Sequence, residues 1–180
     1  TERVLRSTNG GQDWQALSAP MDEEGIRLMT ISPQFETDGH IWCVAEGKLC
    51  LSQDRGDTWD FQPTPGADQE VVIALTLSPH YGRDQTMVIA TWQARAGLVH
   101  GIVRVYGSQD SGQTWHRLVE TGTATQWLAC AFYQPDERVG IAVGVDHRIL
   151  LIPNLAEAQG QETVVDTEGL TVIALRAANQ

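Results

Sequence analysis

Three stretches of the chain are written to one spelling. "SQDRGDTW" runs from Ser52 to Trp59 and "SQDSGQTW" from Ser108 to Trp115. Ser52, Asp54, Gly56, Thr58 and Trp59 in the first share their offsets with Ser108, Asp110, Gly112, Thr114 and Trp115 in the second. "STNGGQDW" keeps Ser7, Asn9, Gly11 and Trp14, with Asn in the Asp position and Asp13 in the Thr position. The three starts lie 45 and then 56 residues apart. A catalytic centre is built once in a domain, whereas a folding device is built once per repeat. The spelling therefore constrains architecture before chemistry.

A second landmark keeps step with the first. "IRLMTISP" (Ile26 to Pro33), "VIALTLSP" (Val72 to Pro79) and "WLACAFYQP" (Trp127 to Pro135) are apolar runs that each stop at a proline. Those prolines are 46 and 56 residues apart, and the chain closes on "VIALRAANQ", which repeats Val72 to Leu75. The two landmarks divide the chain into units at 1–17, 26–62, 71–119 and 126–166, with a first strand of a next unit at 169–180. Each full unit reads as four short strands: β-branched and aromatic residues alternate with polar ones, and Gly, Pro, Asp and Asn sit at the breaks. "NLAEAQGQE" near Asn154 is the one helix-tempting run, and Gly160 cuts it short. The class is all-β. Four-stranded antiparallel units of about 40–50 residues have the size of propeller blades, and the chain holds about four of them.

The spelling has a physical reason that needs no substrate. Asp110 followed by Gly112 suits a turn in which the carboxylate accepts backbone N–H bonds and Gly takes a positive φ. Ser108 and Thr114 can tie the hairpin ends, and Trp115 brings a large apolar surface to the next strand. The S-x-D-x-G-x-T-W pattern resembles the Asp-box, also called the bacterial neuraminidase repeat. The "SP…DG" run from Ser32-Pro33 to Asp38-Gly39 is similar to the wider repeat of Asp-box propellers. The resemblance covers essentially the whole chain. It implies a propeller in which each box joins the third and fourth strands of a blade, is structural, and lies away from the usual ligand face. The fourth unit departs: "LIPNLAEAQGQET" holds the box position without Asp-x-Gly or Trp.

The chain enters at a third strand (Arg3 to Ser7) and leaves after a first strand (Leu170 to Ala177), so no unit at the join is complete. Asp-box propellers typically have six to eight blades by that resemblance. A sector of a longer propeller, a ring completed by a partner chain, and a compact four-blade form all remain open, and a piece of a larger ring or assembly is the expectation. Open blade edges invite aggregation unless something covers them.

Charge and composition exclude several classes. A formal charge of −11 repels phosphate backbones, so nucleic acid is not an expected partner. No apolar run approaches the roughly 18 residues of a transmembrane helix. Three cysteines, Cys43, Cys50 and Cys130, form no disulfide framework and mildly favour a reducing compartment. Thr1 is not an initiator, so a leader ahead of it, and with it the localisation, stays open. A turn centred on Glu46-Gly47 places Cys43 opposite Cys50, where either a cross-strand disulfide or two small buried thiols fit; thiols are the expectation.

A search for chemistry finds little. The resemblance makes a sialidase the obvious enzyme, with three arginines on a carboxylate, a Tyr–Glu nucleophile pair and an Asp acid/base. None of these carries over residue by residue: the one "IP", Ile152-Pro153, follows Leu151 rather than Arg. Asp22-Glu23-Glu24 and Asp136-Glu137 read as solvated loops. The five histidines show no zinc spacing. No catalytic residue, metal or cofactor is assigned.

What remains is surface. The connections between second and third strands share the end of the blades opposite the boxes. There the insertion "WQARAGLVHG" carries Trp92, Arg95 and His100, and equivalent turns add Lys48 and His147-Arg148. A face that gathers scarce cations on an acidic chain is a candidate contact surface. The reading is a non-catalytic binding or scaffold propeller, with a protein partner or further blades as the expected partner and carbohydrate as another candidate ligand. The alternative is a glycoside hydrolase whose catalytic residues lie partly outside this segment.

Overall fold

Why a chain so rich in β-branched residues makes short, separate sheets is visible in its breaks. The computed structural model describes residues 4–18, 25–66, 69–94 and 101–120, and the backbone of strands at 127–133, 140–145, 148–152 and 163–166. Strands β1 (Val4–Arg6) and β2 (Gln15–Leu17) form a two-stranded sheet. The second sheet runs β3 (Ile26–Ile31), β4 (Ile41–Ala45), β5 (Lys48–Ser52) and β6 (Asp60–Phe61). The third runs β7 (Glu70–Leu77), β8 (Met87–Ala94), β9 (Gly101–Ser108) and β10 (His116–Glu120). The fourth runs β11 (Trp127–Tyr133), β12 (Gly140–Val145), β13 (Arg148–Ile152) and β14 (Thr163–Asp166). Every pair is antiparallel and sequential.

The first strands of successive four-stranded sheets adjoin one another, β3 beside β7 and β7 beside β11. The sheets therefore stack face to face around a common line, as blades of a β-propeller do. Stacking buries both faces of the middle strands, which is why β4 reads as the unbroken apolar run Ile-Trp-Cys-Val-Ala and is buried at every residue. Between the second and third sheets, Trp42, Val44, Leu49 and Leu51 meet Val72, Leu77, Met87 and Ile89, with Tyr81 added from a loop. Val88, Ala90, Val103 and Val105 are fully buried on the opposite face of the third sheet.

The connection from first to second strand is not the plain polar loop that its composition suggests. It holds a single helical turn, α1 (Phe35–Asp38) in the second sheet and α2 (Tyr81–Asp84) in the third. One turn is too short to leave a 3.6-residue period in the sequence. Both are tied identically. Ser32 Oγ donates to Asp38 Oδ2 at 2.5 Å and accepts from Gln34 N at 3.0 Å, while His40 N donates to Asp38 Oδ1 at 2.9 Å. Ser78, Asp84, His80 and Thr86 repeat the pattern at 2.7, 3.1 and 2.9 Å.

Three further details depart from the sequence reading. The box tryptophans stand just ahead of their strands rather than in them, since β2, β6 and β10 begin at Gln15, Asp60 and His116. β6 is only two residues long. Pro63 and Pro65 follow it, and proline has no N–H to continue a ladder. The insertion around Trp92 is spent partly on strand: β8 and β9 are eight residues each, so Trp92 lies within β8. Cys43 and Cys50 are directly paired across β4 and β5, both buried and both free thiols. The expected fourth-unit turn at 153–162 and the closing strand at 169–180 lie outside the described residues, as do Arg95, His100 and His147.

Candidate functional site

At one end of the sheets sit the boxes, each a closed hydrogen-bond unit. Ser52 Oγ accepts from Gly56 N at 2.7 Å and donates to Asp54 Oδ1 at 2.8 Å. Asp54 in turn accepts from Thr58 N at 2.8 Å and from the Thr58 hydroxyl at 2.6 Å. Ser108, Asp110, Gly112 and Thr114 make the same four bonds. The Thr hydroxyls and backbone N–H groups hold both carboxyls down at about 2. The turn needs two successive left-handed residues, Arg55 and Gly56 at φ 63° and 96°, Ser111 and Gly112 at 54° and 78°. Only the second is glycine in both, because its Cβ would meet neighbours: Leu17 Cδ1 at Gly56 and Trp42 Cη2 at Gly112.

The first box keeps the geometry while reversing one bond. Asn9 Oδ1 accepts from Ser7 Oγ at 3.0 Å and from Asp13 N at 2.9 Å. Its amide nitrogen then donates to Asp13 Oδ2 at 2.8 Å, where the other boxes have a threonine hydroxyl donating to a carboxylate. Gly11 N donates to Ser7 Oγ at 2.8 Å as elsewhere. The indoles of Trp14 and Trp59 donate to Gly11 O and Gly56 O within their own boxes. Trp115 instead reaches the preceding unit, donating to Pro63 O at 3.0 Å. The Ser, Asp and Thr side chains at the shared positions of the two full boxes are thus spent on the box itself.

Beside the boxes, a cleft of about 310 Å³ opens between the second and third sheets, lined in part by Gln53, Gln62, Gln85, His40 and Ser111. Its lining is mostly polar.

The other end of the sheets carries the residues of the candidate contact face. Lys48 begins β5, exposed, with its ammonium 5.9 Å from the Phe61 ring. Arg148 begins β13 in the corresponding hairpin position. Trp92 is half-buried with its indole lying on Gly101, whose Cβ would clash with it. The structure brings Lys48, Trp92 and Arg148 to the same end of their sheets, each at the meeting of second and third strands.

Sequence reasoning passed over the strongest polar cluster at that end. Arg104 stands four residues ahead of its box serine, as Lys48 does, and this shared offset was the available signal. Its guanidinium donates to Glu70 Oε1 at 2.6 Å, Gln93 Oε1 at 3.0 Å and Glu120 Oε2 at 2.8 Å. Arg117 adds a second bond to Glu120 at 2.7 Å, and Thr91 Oγ1 donates to Glu70 Oε2 at 2.6 Å. The cluster spans all four strands of the third sheet, because Thr91, Arg104 and Glu120 are cross-strand partners.

Tyr106 Oη lies 3.5 Å from Glu70 Oε2, which makes a Tyr–Glu pair worth testing as chemistry. Burial, and then the Glu70 charge, push the phenol above its ordinary value, so it is protonated at neutral pH. The hydrogen bond from Arg104 holds Glu120 below the usual carboxyl range, the opposite of what a general acid requires. Among the described residues, no group of three or more His, Cys, Asp or Glu could hold a metal ion. No helix among them is long and apolar enough to cross a membrane.

No curated protein matches the chain. A solved structure described as YCF48 bound to D1 peptide is similar over 93% of this chain at 16% identity and a TM-score of 0.35. The chain spans 62% of that structure's chain. The family model Sortilin-Vps10, described as sortilin, neurotensin receptor 3, matches residues 2–152. With most of its length matched by that model, the chain belongs to the Sortilin-Vps10 family.

Proposed function

We propose that the chain is a sector of an Asp-box propeller that works as a non-catalytic binding or scaffold element within a larger protein or assembly. The observation that carries this reading is the pairing of the carboxylates in its polar clusters. Glu70 and Glu120 are both bonded to Arg104, and the box carboxylates are bonded to their own turns. A glycosidase needs two carboxyls, one of them free to give up a proton. Membership of a family described by a receptor supports binding rather than turnover. Lys48, Trp92 and Arg148, with Arg95, His100 and His147, form the proposed contact face, and its cations suit a protein or carbohydrate partner bearing negative charge.

Photo-crosslinkers at Lys48 and at Gln113, at opposite ends of the sheets, test the face. Adducts of one discrete mass from position 48 alone support it; adducts from neither position, or equally from both, remove it. The enzymatic alternative is tested with fluorogenic aryl glycosides and sialosides. Turnover that Glu70→Gln abolishes would replace the scaffold reading with a hydrolase.

A further inference from the structure

We propose that the flank of the second sheet facing β1 and β2 is an acceptor surface for one further strand–loop–strand of this same repeat, lying outside residues 1–180. This rests on the reading of the chain as a sector of a larger propeller and says which surface completes it, and with what.

The repeat supplies its own control. Counted from Ser32 and Ser78, Ile31 corresponds to Leu77 and Met29 to Leu75. Leu77 is 9% exposed and belongs to the core, and Leu75 packs against that core. Ile31 and Met29 are 55% and 44% exposed. The difference lies in the neighbour. The third sheet is covered by Trp42, Val44, Leu49 and Leu51 of the second. Its helical-turn loop is also clamped: Gln34 Nε2 donates to Pro79 O at 3.3 Å, and Gly82 N donates to Gln34 Oε1 at 2.7 Å.

The second sheet meets only half of such a neighbour. The box from Ser7 to Trp14 joins β1 to β2 as the later boxes join third strands to fourth, so β1 and β2 hold the outer positions. That outer half of the interface is made. Leu17 is buried, and Arg6 Nη1 reaches Arg55 O at 2.8 Å and Asp57 Oδ1 at 2.9 Å. The innermost part, at β3, is open, while β4 beside it is buried. Cavities of about 650 and 520 Å³ flank Phe35 and Glu36, the first reaching Ile31 and the second Arg6. Among the described residues β1 pairs only with β2, and Leu5 on β1 is 53% exposed.

These features define the occupant. Its second strand pairs with the free edge of β1 and lays bulky apolar side chains, in the positions of Trp42 and Val44, on Met29 and Ile31. Its Ser-Pro loop carries a carboxamide in the Gln34 position, which accepts from Glu36 N and donates to Pro33 O. A second copy of this chain fits poorly, because its first and second strands are already paired as β3–β4, β7–β8 and β11–β12. Leu170–Ala177 has the length of one strand and no Ser-Pro loop.

The test builds the occupant from the chain itself. A second copy of Gly25–Gly47, with its own methionine replaced by leucine, is fused directly ahead of Arg3, so that its turn leads into β1 as Glu46-Gly47 leads into β5. Peroxide oxidation of Met29 is followed by peptide mass, with fully buried Met87 as the internal reference. The fusion is expected to slow Met29 oxidation at least about tenfold relative to the 1–180 chain, since protection follows local opening. Met29 oxidised at an unchanged rate while Met87 stays protected overturns the proposal. If the fusion fails to protect Met87, the copy is supplied as a separate peptide, and no protection of Met29 at any concentration overturns it equally. Protection that grows with the concentration of the 1–180 chain alone assigns the flank to a second copy and also overturns it. Glycoside turnover would remove the functional reading and leave these outcomes unaffected.

Discussion

The indole N–H of Trp42 donates to Tyr81 Oη at 2.9 Å, and Tyr81 Oη donates to Ser111 Oγ at 3.0 Å. An indole nitrogen can only donate, so Tyr81 Oη accepts from Trp42 and keeps its own proton for Ser111. The pair of bonds runs from the second sheet, through the helical-turn loop of the third, into the third sheet's box. Trp42 and Tyr81 are almost wholly buried, and burial pushes the Tyr81 phenol above its ordinary value, keeping it protonated. Neighbouring blades are therefore joined by a directed polar contact inside an apolar interface.

Tyr81→Phe should leave the Trp42 donor buried and unpaired, costing about 2 kcal/mol. The urea midpoint should fall with the slope unchanged. Adding Trp42→Phe should recover more than the tyrosine change alone predicts for polar satisfaction, because both partners are then gone. A double-mutant cycle reads this as a coupling energy, and strict additivity would refute the bond's role.

The boxes predict an acid limb with a definite sign. Asp110 is held at about 2 against an ordinary 3.8, so its folded value is depressed. Its contribution is present above the ordinary value and is lost as pH falls through about 2. Asp110→Asn should lower stability at neutral pH and flatten the profile between those two values. Asp110→Asn combined with Thr114→Asp copies the arrangement of Asn9 and Asp13, and should restore neutral stability. Thermal melts across that pH range decide it, and a double variant no better than Asp110→Asn counts against the swap.

Much of this architecture was legible because the repeat wrote it more than once. The boxes, the Glu46-Gly47 turn and the pairing of Cys43 with Cys50 follow from spacing, since local turn chemistry needs no distant partner. The single-turn helices did not show, because four residues carry no period. The Arg104 cluster was also hidden: Glu70, Arg104 and Glu120 come from three strands, and only the sheet brings them together. The exposure of Met29 and Ile31 could not be read from residues that look the same as partly buried Leu75 and buried Leu77. On the contact face, Lys48, Trp92 and Arg148 share one end of their sheets, while Arg95, His100 and His147 lie outside the described residues.

Two glycines separate backbone strain from steric fit. Gly47 and Gly112 have φ of 70° and 78°, so alanine at either pays the left-handed cost of roughly 1 kcal/mol. A Cβ at Gly47 meets nothing within 4 Å, whereas at Gly112 it would lie 3.1 Å from Trp42 Cη2. That ring cannot shift without breaking its bond to Tyr81. Gly112→Ala should therefore cost at least about 1 kcal/mol more than Gly47→Ala in urea unfolding. Equal costs would mean that the Trp42 ring is free to move.

Arg104 offers the sharpest test of the charged layer. Glu70 is 4% exposed in its side chain and bonded to a guanidinium that is itself 14% exposed. Removing one member of a buried pair costs more than removing both, because the survivor keeps its desolvation without its partner. Arg104→Met should thus destabilise the chain by about 3 kcal/mol, and adding Glu70→Gln should recover most of it. Arg104→Lys should recover less than its charge suggests, since one ammonium cannot reach Glu70, Gln93 and Glu120 in the geometry of a planar fork. Glu120 is 39% exposed, so Glu120→Gln should cost well under 1 kcal/mol and weaken further in salt. Urea unfolding of the four variants checks the order; an Arg104→Met variant as stable as Glu120→Gln would show that the cluster is a surface decoration rather than a buried clamp across the sheet.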